Sequence, residues 1–196
     1  LRSHKELVAA RKKAQEAEER VRELEQKLEQ TSELVHADQL TGALNRRGME
    51  ETLEREIKRS ERQKTPVSLA LLDIDNFKQL NDTLGHQAGD RALAHLAKVI
   101  KEALRPTDAV ARYGGEEFII ILPDSGLPEA VETVIRLQRE LTKKFFMNEN
   151  QRLLITFSAG VALRGENEEA EVVIGRADQA MYRAKKSGKN RVFPAE

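Results

Sequence analysis

The sequence predicts an α+β domain, a central mixed sheet flanked by helices, preceded by a long N-terminal coiled-coil helix. Three observations predict it. Apolar residues recur at heptad spacing through residues 1–36, a stretch with no Gly, Pro, Phe, Trp or Tyr. From Asp38 onward, Gly, Pro and Asn punctuate a series of apolar runs. Those runs alternate between strand-like stretches and the 3.6-residue period of helices, in the order α-β-α-β-β-α-β-α-β. That order places helices on both sides of one sheet.

In the first segment Leu7, Ala14, Val21, Leu28 and Val35 fall at a, and Ala10, Ala17, Leu24 and Thr31 at d. A parallel homodimer would set Lys13 and Arg20 against Glu18 and Glu25 of the partner subunit, an attractive pattern. The plainer alternative is a lone solvated helix, because alanines at a and d weaken the seam.

The globular part, residues 37–196, starts with Asn45 as N-cap of a helix that carries Met49, Leu53 and Ile57 and ends before Pro66. Val67–Ile74 reads as a central strand, apolar on both faces. Residues 82–90 read as a connection, followed by a helix with Leu93, Leu96, Ile100 and Leu104 inward until Pro106. Residues 109–112 and 116–122 read as strands joined by a two-residue turn, Gly114-Gly115. A helix opened by Pro128 carries Val134, Leu137, Leu141 and Phe145. A strand over 153–163, a helix with Ala177, Ala180, Met181 and Ala184 inward, and a short edge strand over 191–193 complete the chain.

Composition narrows the function. Charged residues make up 34% of the 196, with Lys+Arg and Asp+Glu equal at 33 each. That balance argues against a nucleic-acid footprint and against a polybasic membrane surface. There is no cysteine, so thiolate catalysis and thiolate metal sites are excluded and any metal must sit on oxygen or imidazole. The longest apolar runs, near Val67–Leu72 and Phe118–Leu122, are far below the ~20 residues of a spanning helix. The chain opens at Leu1 in mid-pattern, without an initiator Met. The expectation is a longer protein with a sensor domain upstream.

Asp73 and Asp75 end an otherwise apolar strand, and Glu116 and Glu117 follow the Gly-Gly turn beside another. If those strands are neighbours, four carboxylates converge, a hard-oxygen set suited to Mg2+ or Mn2+ with substrate phosphates. Taken singly, each carboxylate is better explained as a strand-end cap or a solvated turn residue. His86, between glycine-containing turns, is given no catalytic role.

Longer motifs decide between these readings. Residues 73–90 spell DIDNFKQLNDTLGHQAGD, 112–118 RYGGEEF, 156–162 TFSAGVA and 177–192 ADQAMYRAKKSGKNRV, preceded by DQLTGALNRR at 38–47. In these motifs the chain resembles the GGDEF-domain diguanylate cyclases over roughly residues 37–196, with the signature in its GGEEF form. The resemblance implies a nucleotide-cyclase or palm-like sheet. It also implies condensation of two GTP molecules into cyclic di-GMP with release of two pyrophosphates.

Residue by residue, the resemblance implies Asp73, Glu116 and the Ile74 carbonyl as metal ligands, with Glu117 aiding the metal centre or proton removal. Gly114 and Gly115 admit the α-phosphate, and Asn81 and Asp90 recognise guanine. Phe77 and Lys78 cover the phosphates, while Lys185 and Lys189 hold their β and γ groups. Lys189 stands where the family often has Arg, keeping the charge without the bidentate fork. Arg105 and Asp108 match an RxxD inhibitory site for the product, and Arg136, or its neighbour Arg139, matches a secondary basic position there. The plainer reading of that pair is a helix end stopped by Pro106. The alternative to an active dimeric cyclase is an inert nucleotide or cyclic di-GMP receptor signalling through the coiled coil. The domain is expected in the cytoplasm, where its GTP is, whether or not the full-length protein is held at a membrane.

Overall fold

The computed structural model describes residues 2–196, and within the first helix the side chains of residues 10–28, 31, 35 and 36. The chain divides into two compact units, residues 1–36 and residues 37–196. The first is one uninterrupted helix, α1 (Arg2–His36). Its heptad residues Val21, Leu24 and Leu28 are 53, 53 and 74% exposed, an apolar stripe left in water by a single chain. Leu7, the first a position, lies outside the residues whose side chains are described. No helix among the described residues is long and apolar enough to cross a membrane.

The second unit begins with α2 (Arg46–Gln63), whose Asn45 cap accepts from the Gly48 N–H at 2.9 Å, a contact that stabilises by about 1 kcal/mol. The remaining elements are β1 (Val67–Ile74), α3 (Phe77–Leu84), α4 (His86–Ala103), β2 (Ala109–Arg112), β3 (Glu117–Pro123), α5 (Leu127–Lys143), β4 (Phe146–Asn148), β5 (Gln151–Leu153), β6 (Phe157–Leu163), α6 (Ala170–Lys186) and β7 (Val192–Pro194). Five strands form one sheet in the order β2-β3-β1-β6-β7. β1 runs antiparallel to both β3 and β6, and β7 is parallel to β6, so the sheet is mixed.

Because β1 is central, all eight of its residues are buried, which accounts for its mostly apolar run, interrupted only by Ser68 and Asp73. On one face Leu72, Phe118 and Phe157 pack with Leu93 and Leu96 of α4 and Leu137 of α5. On the other, Leu69, Leu71 and Ile119 pack with Met49 and Leu53 of α2 and Met181 of α6. Helix α6 lies directly on β6 because Gly160 has no side chain: a Cβ there would stand 1.9 Å from the Ala177 carbonyl oxygen. This close approach seats the basic end of α6 beside the end of β1.

Four sequence expectations are corrected. Residues 82–90 are not a connection: α3 runs to Leu84, Gly85 turns the chain at φ +87°, and α4 begins at His86. The Gly-Gly turn is longer than two residues, since the Tyr113 N–H bonds the Glu117 carbonyl and leaves Gly114, Gly115 and Glu116 as the loop. Neither glycine has a positive φ, so the mirror-image turn that Gly-Gly favours is not formed. Phe145 lies beyond the end of α5 and is 47% exposed. The strand expected over 153–163 is broken: 151–153 pairs with 146–148 in a separate two-stranded sheet, and β6 starts only at Phe157.

Candidate active site

The sheet register builds the acidic end of the site. Asp73, the penultimate residue of β1, pairs directly with Glu117 of β3, so both side chains point to the same face as α6. The Ile74 N–H bonds the Glu116 carbonyl at 3.4 Å, tying the loop residue to the same strand end. From α6, Lys185 Nζ reaches to 2.9 Å from Asp73 Oδ1, yet that buried oxygen has no aligned hydrogen-bond donor.

Electrostatics follow from this crowding. Burial pushes the Asp73 carboxyl above the ordinary carboxylate range; Lys185 offsets part of the rise, and Asp75 and Asp178 add to it. Glu116 is raised by burial first and by Asp73 next, Lys185 again acting against the rise. Glu117 is raised by burial, then by Asp73 and Asp178. One ammonium, Lys185, therefore faces three partly buried carboxylates and offsets only part of their charge. That donor chemistry fits a hard divalent cation. Among the described residues no three acidic or imidazole groups are gathered tightly enough to form a metal cage by themselves. A cation here would depend on further oxygens, as Mg2+ characteristically does through water and phosphate.

The loop that carries Glu116 is pinned. Arg112 donates twice to the Gly115 carbonyl, at 2.8 and 3.2 Å, and also pairs with Asp38 at 3.4 Å. Asp38 in turn accepts from the Thr41 N–H and hydroxyl. The glycines keep space open: a Cβ on Gly114 would stand 2.6 Å from Glu117 Oε2, and one on Gly115 would meet nothing within 4 Å.

The other site candidates arrive from two directions. Phe77, buried, and Lys78, exposed, start α3 just beyond β1. Lys189, in the turn after α6, donates to Asn76 Oδ1 and so joins that helix start. Asn81 on α3 packs against α4 so closely that a Cβ on Gly89 would lie 1.8 Å from Asn81 Oδ1. This sets the half-buried Asn81 against Gly89, the residue before the exposed Asp90. Gly89 was not singled out from the sequence; only its place in the run GHQAGD hinted at it.

Residues 35–191 match the family described as diguanylate cyclase, GGDEF domain. The chain belongs to the GGDEF family. It is 41% identical over 165 residues to diguanylate cyclase DgcP of Pseudomonas aeruginosa, covering 84% of this chain and 25% of that protein. It is likewise 41% identical over 172 residues to the response regulator PleD of Caulobacter vibrioides, covering 86% of this chain and 38% of that one. The chain thus spans a quarter to two fifths of the length of these relatives. Among solved structures it is similar to the coiled coil and GGDEF domain of DgcB from Caulobacter crescentus in complex with c-di-GMP. That match has a TM-score of 0.83 and 34% identity, covering 92% of this chain and 96% of that one. It is also similar to diguanylate cyclase SiaD from Pseudomonas aeruginosa in complex with its activator SiaC, at a TM-score of 0.85 and 34% identity, covering 99% and 75%.

Two GGDEF-domain features lie apart from the acidic cluster. Asp75 does not converge with Asp73, Glu116 and Glu117. Its carboxylate is turned to Thr156, Ser158 and the Asn190 N–H, which corrects the four-carboxylate expectation. The spacing D-x-D cannot distinguish a ligand from such a clamp. Arg105 and Asp108 precede β2, at the opposite end of the β2–β3 hairpin from the signature loop. Asp108 Oδ2 caps the Arg105 N–H at 3.0 Å while Oδ1 is buried without a partner. Burial raises the Asp108 carboxyl, and Arg105 and Arg136 pull it back. Arg136 also donates to the Ala103 carbonyl at 3.4 Å, so it, rather than Arg139, faces this site. A cavity of about 540 Å³ lies beside Arg105 and Asp108; another of about 610 Å³ touches Glu117 and Lys185 but follows α6 toward Glu196 and is bordered by none of Asp73, Asn81, Asp90 or Lys189.

Proposed function

We propose that this domain is a Mg2+- or Mn2+-dependent diguanylate cyclase, joining two GTP molecules into cyclic di-GMP as a homodimer. The register at the end of β1 carries this reading: Asp73 stands opposite Glu117 with Glu116 tied to Ile74, where Lys185 also arrives. Asp73, Glu116 and the Ile74 carbonyl would hold the cation. When bound, it would screen charge building on the phosphoryl oxygens and lower the pKa of the attacking hydroxyl.

The chain's own groups do the rest. Asn81 and Asp90 bind the base; a carboxylate accepts from guanine N1–H and the exocyclic amine, which adenine cannot offer together. Lys185, Lys189, Lys78 and the backbone at Phe77 hold the β- and γ-phosphates. The loop at Gly114 and Gly115 leaves the α-phosphate room to approach the backbone. A ribose 3′-oxygen attacks the α-phosphorus, the bond to the β-phosphate bridge breaks, and pyrophosphate leaves. The hydroxyl proton goes to Glu117, directly or through water, where burial makes the carboxylate a better base. A second, two-fold-related attack closes the ring, so two domains must meet. The exposed stripe on α1 is the surface that would bring a second copy.

Incubation with GTP and Mg2+ after stripping bound product, followed by nucleotide chromatography, tests the reading. Cyclic di-GMP is the expected product; none at high protein concentration would leave a nucleotide receptor. Asp90→Ala is expected to relax the preference for GTP over ATP on the order of 100-fold, read by competition binding. An unchanged preference would return Asp90 to a loop-capping role.

Product feedback is assigned to Arg105 and Asp108, with Arg136 beside them. A guanidinium can bond guanine O6 and N7 while a carboxylate takes its N1–H and amine. Arg105→Ala should abolish inhibition by cyclic di-GMP and raise the yield at long times without changing the initial rate. An inhibition curve identical to that of the wild type would make the pair a plain helix end.

A further inference from the structure

The Asp75 carboxylate is filled by donors from two directions. Oδ1 accepts from Ser158 Oγ at 2.6 Å, and Oδ2 accepts from Thr156 Oγ1 at 2.7 Å and from the Asn190 N–H at 2.9 Å. Its own N–H donates to the Thr156 carbonyl at 2.9 Å, so Asp75 is fixed to β6 before it reaches outward. What it reaches is unusual. Gly188, Lys189 and Asn190 have φ of +114°, +62° and +47°, three consecutive residues in a region that side-chain-bearing residues avoid. A lysine and an asparagine persist there only when their surroundings over-determine the turn. The end of α6 holds the first part of the turn, the Gly188 N–H donating to the Lys185 carbonyl at 3.4 Å and the Lys189 N–H to the Ala184 carbonyl at 3.2 Å. From outside α6 the restraints are Asp75 on the Asn190 N–H, Gln138 Nε2 on Asn190 Oδ1 at 3.4 Å, and Asn76 Oδ1 on the Lys189 ammonium. Of these outside restraints, only Asp75 grips the backbone of the turn.

We propose that Asp75 is a positioning residue whose accepted hydrogen bonds lock the left-handed turn 188–190 onto the end of β1, fixing where Lys189 meets the substrate's triphosphate. This rests on the reading of Lys189 as a phosphate contact. Asp75 touches neither substrate nor cation in this scheme, so its hold on the turn depends on hydrogen-bond geometry rather than on charge. An asparagine can reproduce the geometry. Its carbonyl oxygen can face Thr156 and the Asn190 N–H while its amide donates to Ser158 Oγ, a hydroxyl able to accept. Alanine reproduces none of it. A metal ligand would behave otherwise, because the uncharged amide would be nearly as damaging as alanine.

Equilibrium binding of inorganic pyrophosphate and, separately, of GTP to the full chain in Mg2+ tests the proposal. Asp75→Ala should weaken pyrophosphate binding about ten-fold or more, Asp75→Asn should stay within about three-fold of wild type, and the preference for GTP over ATP should move in neither. Wild-type-like binding by Asp75→Ala, or Asp75→Asn as weak as Asp75→Ala, overturns it. If Asp75→Ala does not fold, the Thr156→Val/Ser158→Ala double variant keeps the carboxylate but strips both hydroxyl donors. It should then lose about five-fold in pyrophosphate affinity, and unchanged affinity overturns the proposal. Wild-type protein that binds no pyrophosphate overturns the phosphate reading of Lys189 together with this one; wild-type binding that Asp75→Ala leaves intact overturns this one alone.

Discussion

Asp73→Asn is expected to lower turnover at least on the order of 10³-fold while making the protein more stable. The first half follows from losing the charged oxygen that faces Lys185 and the proposed cation. The second follows from burial, which raises the Asp73 carboxyl above its ordinary value and is only partly offset by Lys185. A carboxyl with a raised folded-state pKa binds more protons in the native than in the unfolded state. Its contribution to stability is therefore present at acid pH and lost as pH rises through the raised pKa. At neutral pH the charged side chain is a strain that the neutral amide removes. A gain of roughly 1 kcal/mol, a few degrees in Tm, is the expected size. Thermal melts without metal, run beside the nucleotide assay, check both halves. Retained turnover would mean the cation is held elsewhere, and a fall in Tm would mean that the Lys185 ion pair outweighs the desolvation.

Removing residues 1–36 is expected to cut turnover by roughly 10²–10³-fold at nanomolar protein, leaving GTP affinity within about two-fold of the full chain. The reason is effective concentration. Two domains joined through a coiled coil meet at about millimolar concentration, whereas separate domains must find each other by diffusion. Val21, Leu24 and Leu28, more than half exposed on one chain, would supply the seam of the proposed dimer. Full-chain turnover should rise more steeply than linearly with dilute protein and become linear once the dimer is complete. A sedimentation profile showing monomer where specific activity is already maximal would contradict this.

The legibility of the sequence was uneven for physical reasons. Strand β1 could be read directly, because a central strand buried on both faces needs apolar residues on both of them. The Asn45 cap and the inward faces of α4 and α6 were equally open to reading, since each rests on local chemistry or a 3.6-residue period. Helix α3 was hidden because Phe77–Leu84 is short and polar, its one fully buried side chain being Phe77. The three-residue strands at 146–148 and 151–153 are too short for alternation to register. At the site, residue types pointed to a convergence of carboxylates, but only the register separates Asp73, which faces Glu117, from Asp75, which is spent on hydrogen bonds. Gly89 was unreadable for a similar reason. Its importance lies in a missing Cβ that Asn81, eight residues earlier, occupies.

In the proposed reaction each domain presents one GTP for attack at its α-phosphorus, two domains acting together. Parallel incubations with GTP labelled at the α- or the γ-phosphate, with pyrophosphate and cyclic dinucleotide counted from the same samples, test it most directly. The α-label should appear wholly in a cyclic dinucleotide, the γ-label wholly in pyrophosphate, with two pyrophosphates released per cyclic product. Orthophosphate carrying the γ-label, or guanosine diphosphate as an end product, would contradict it.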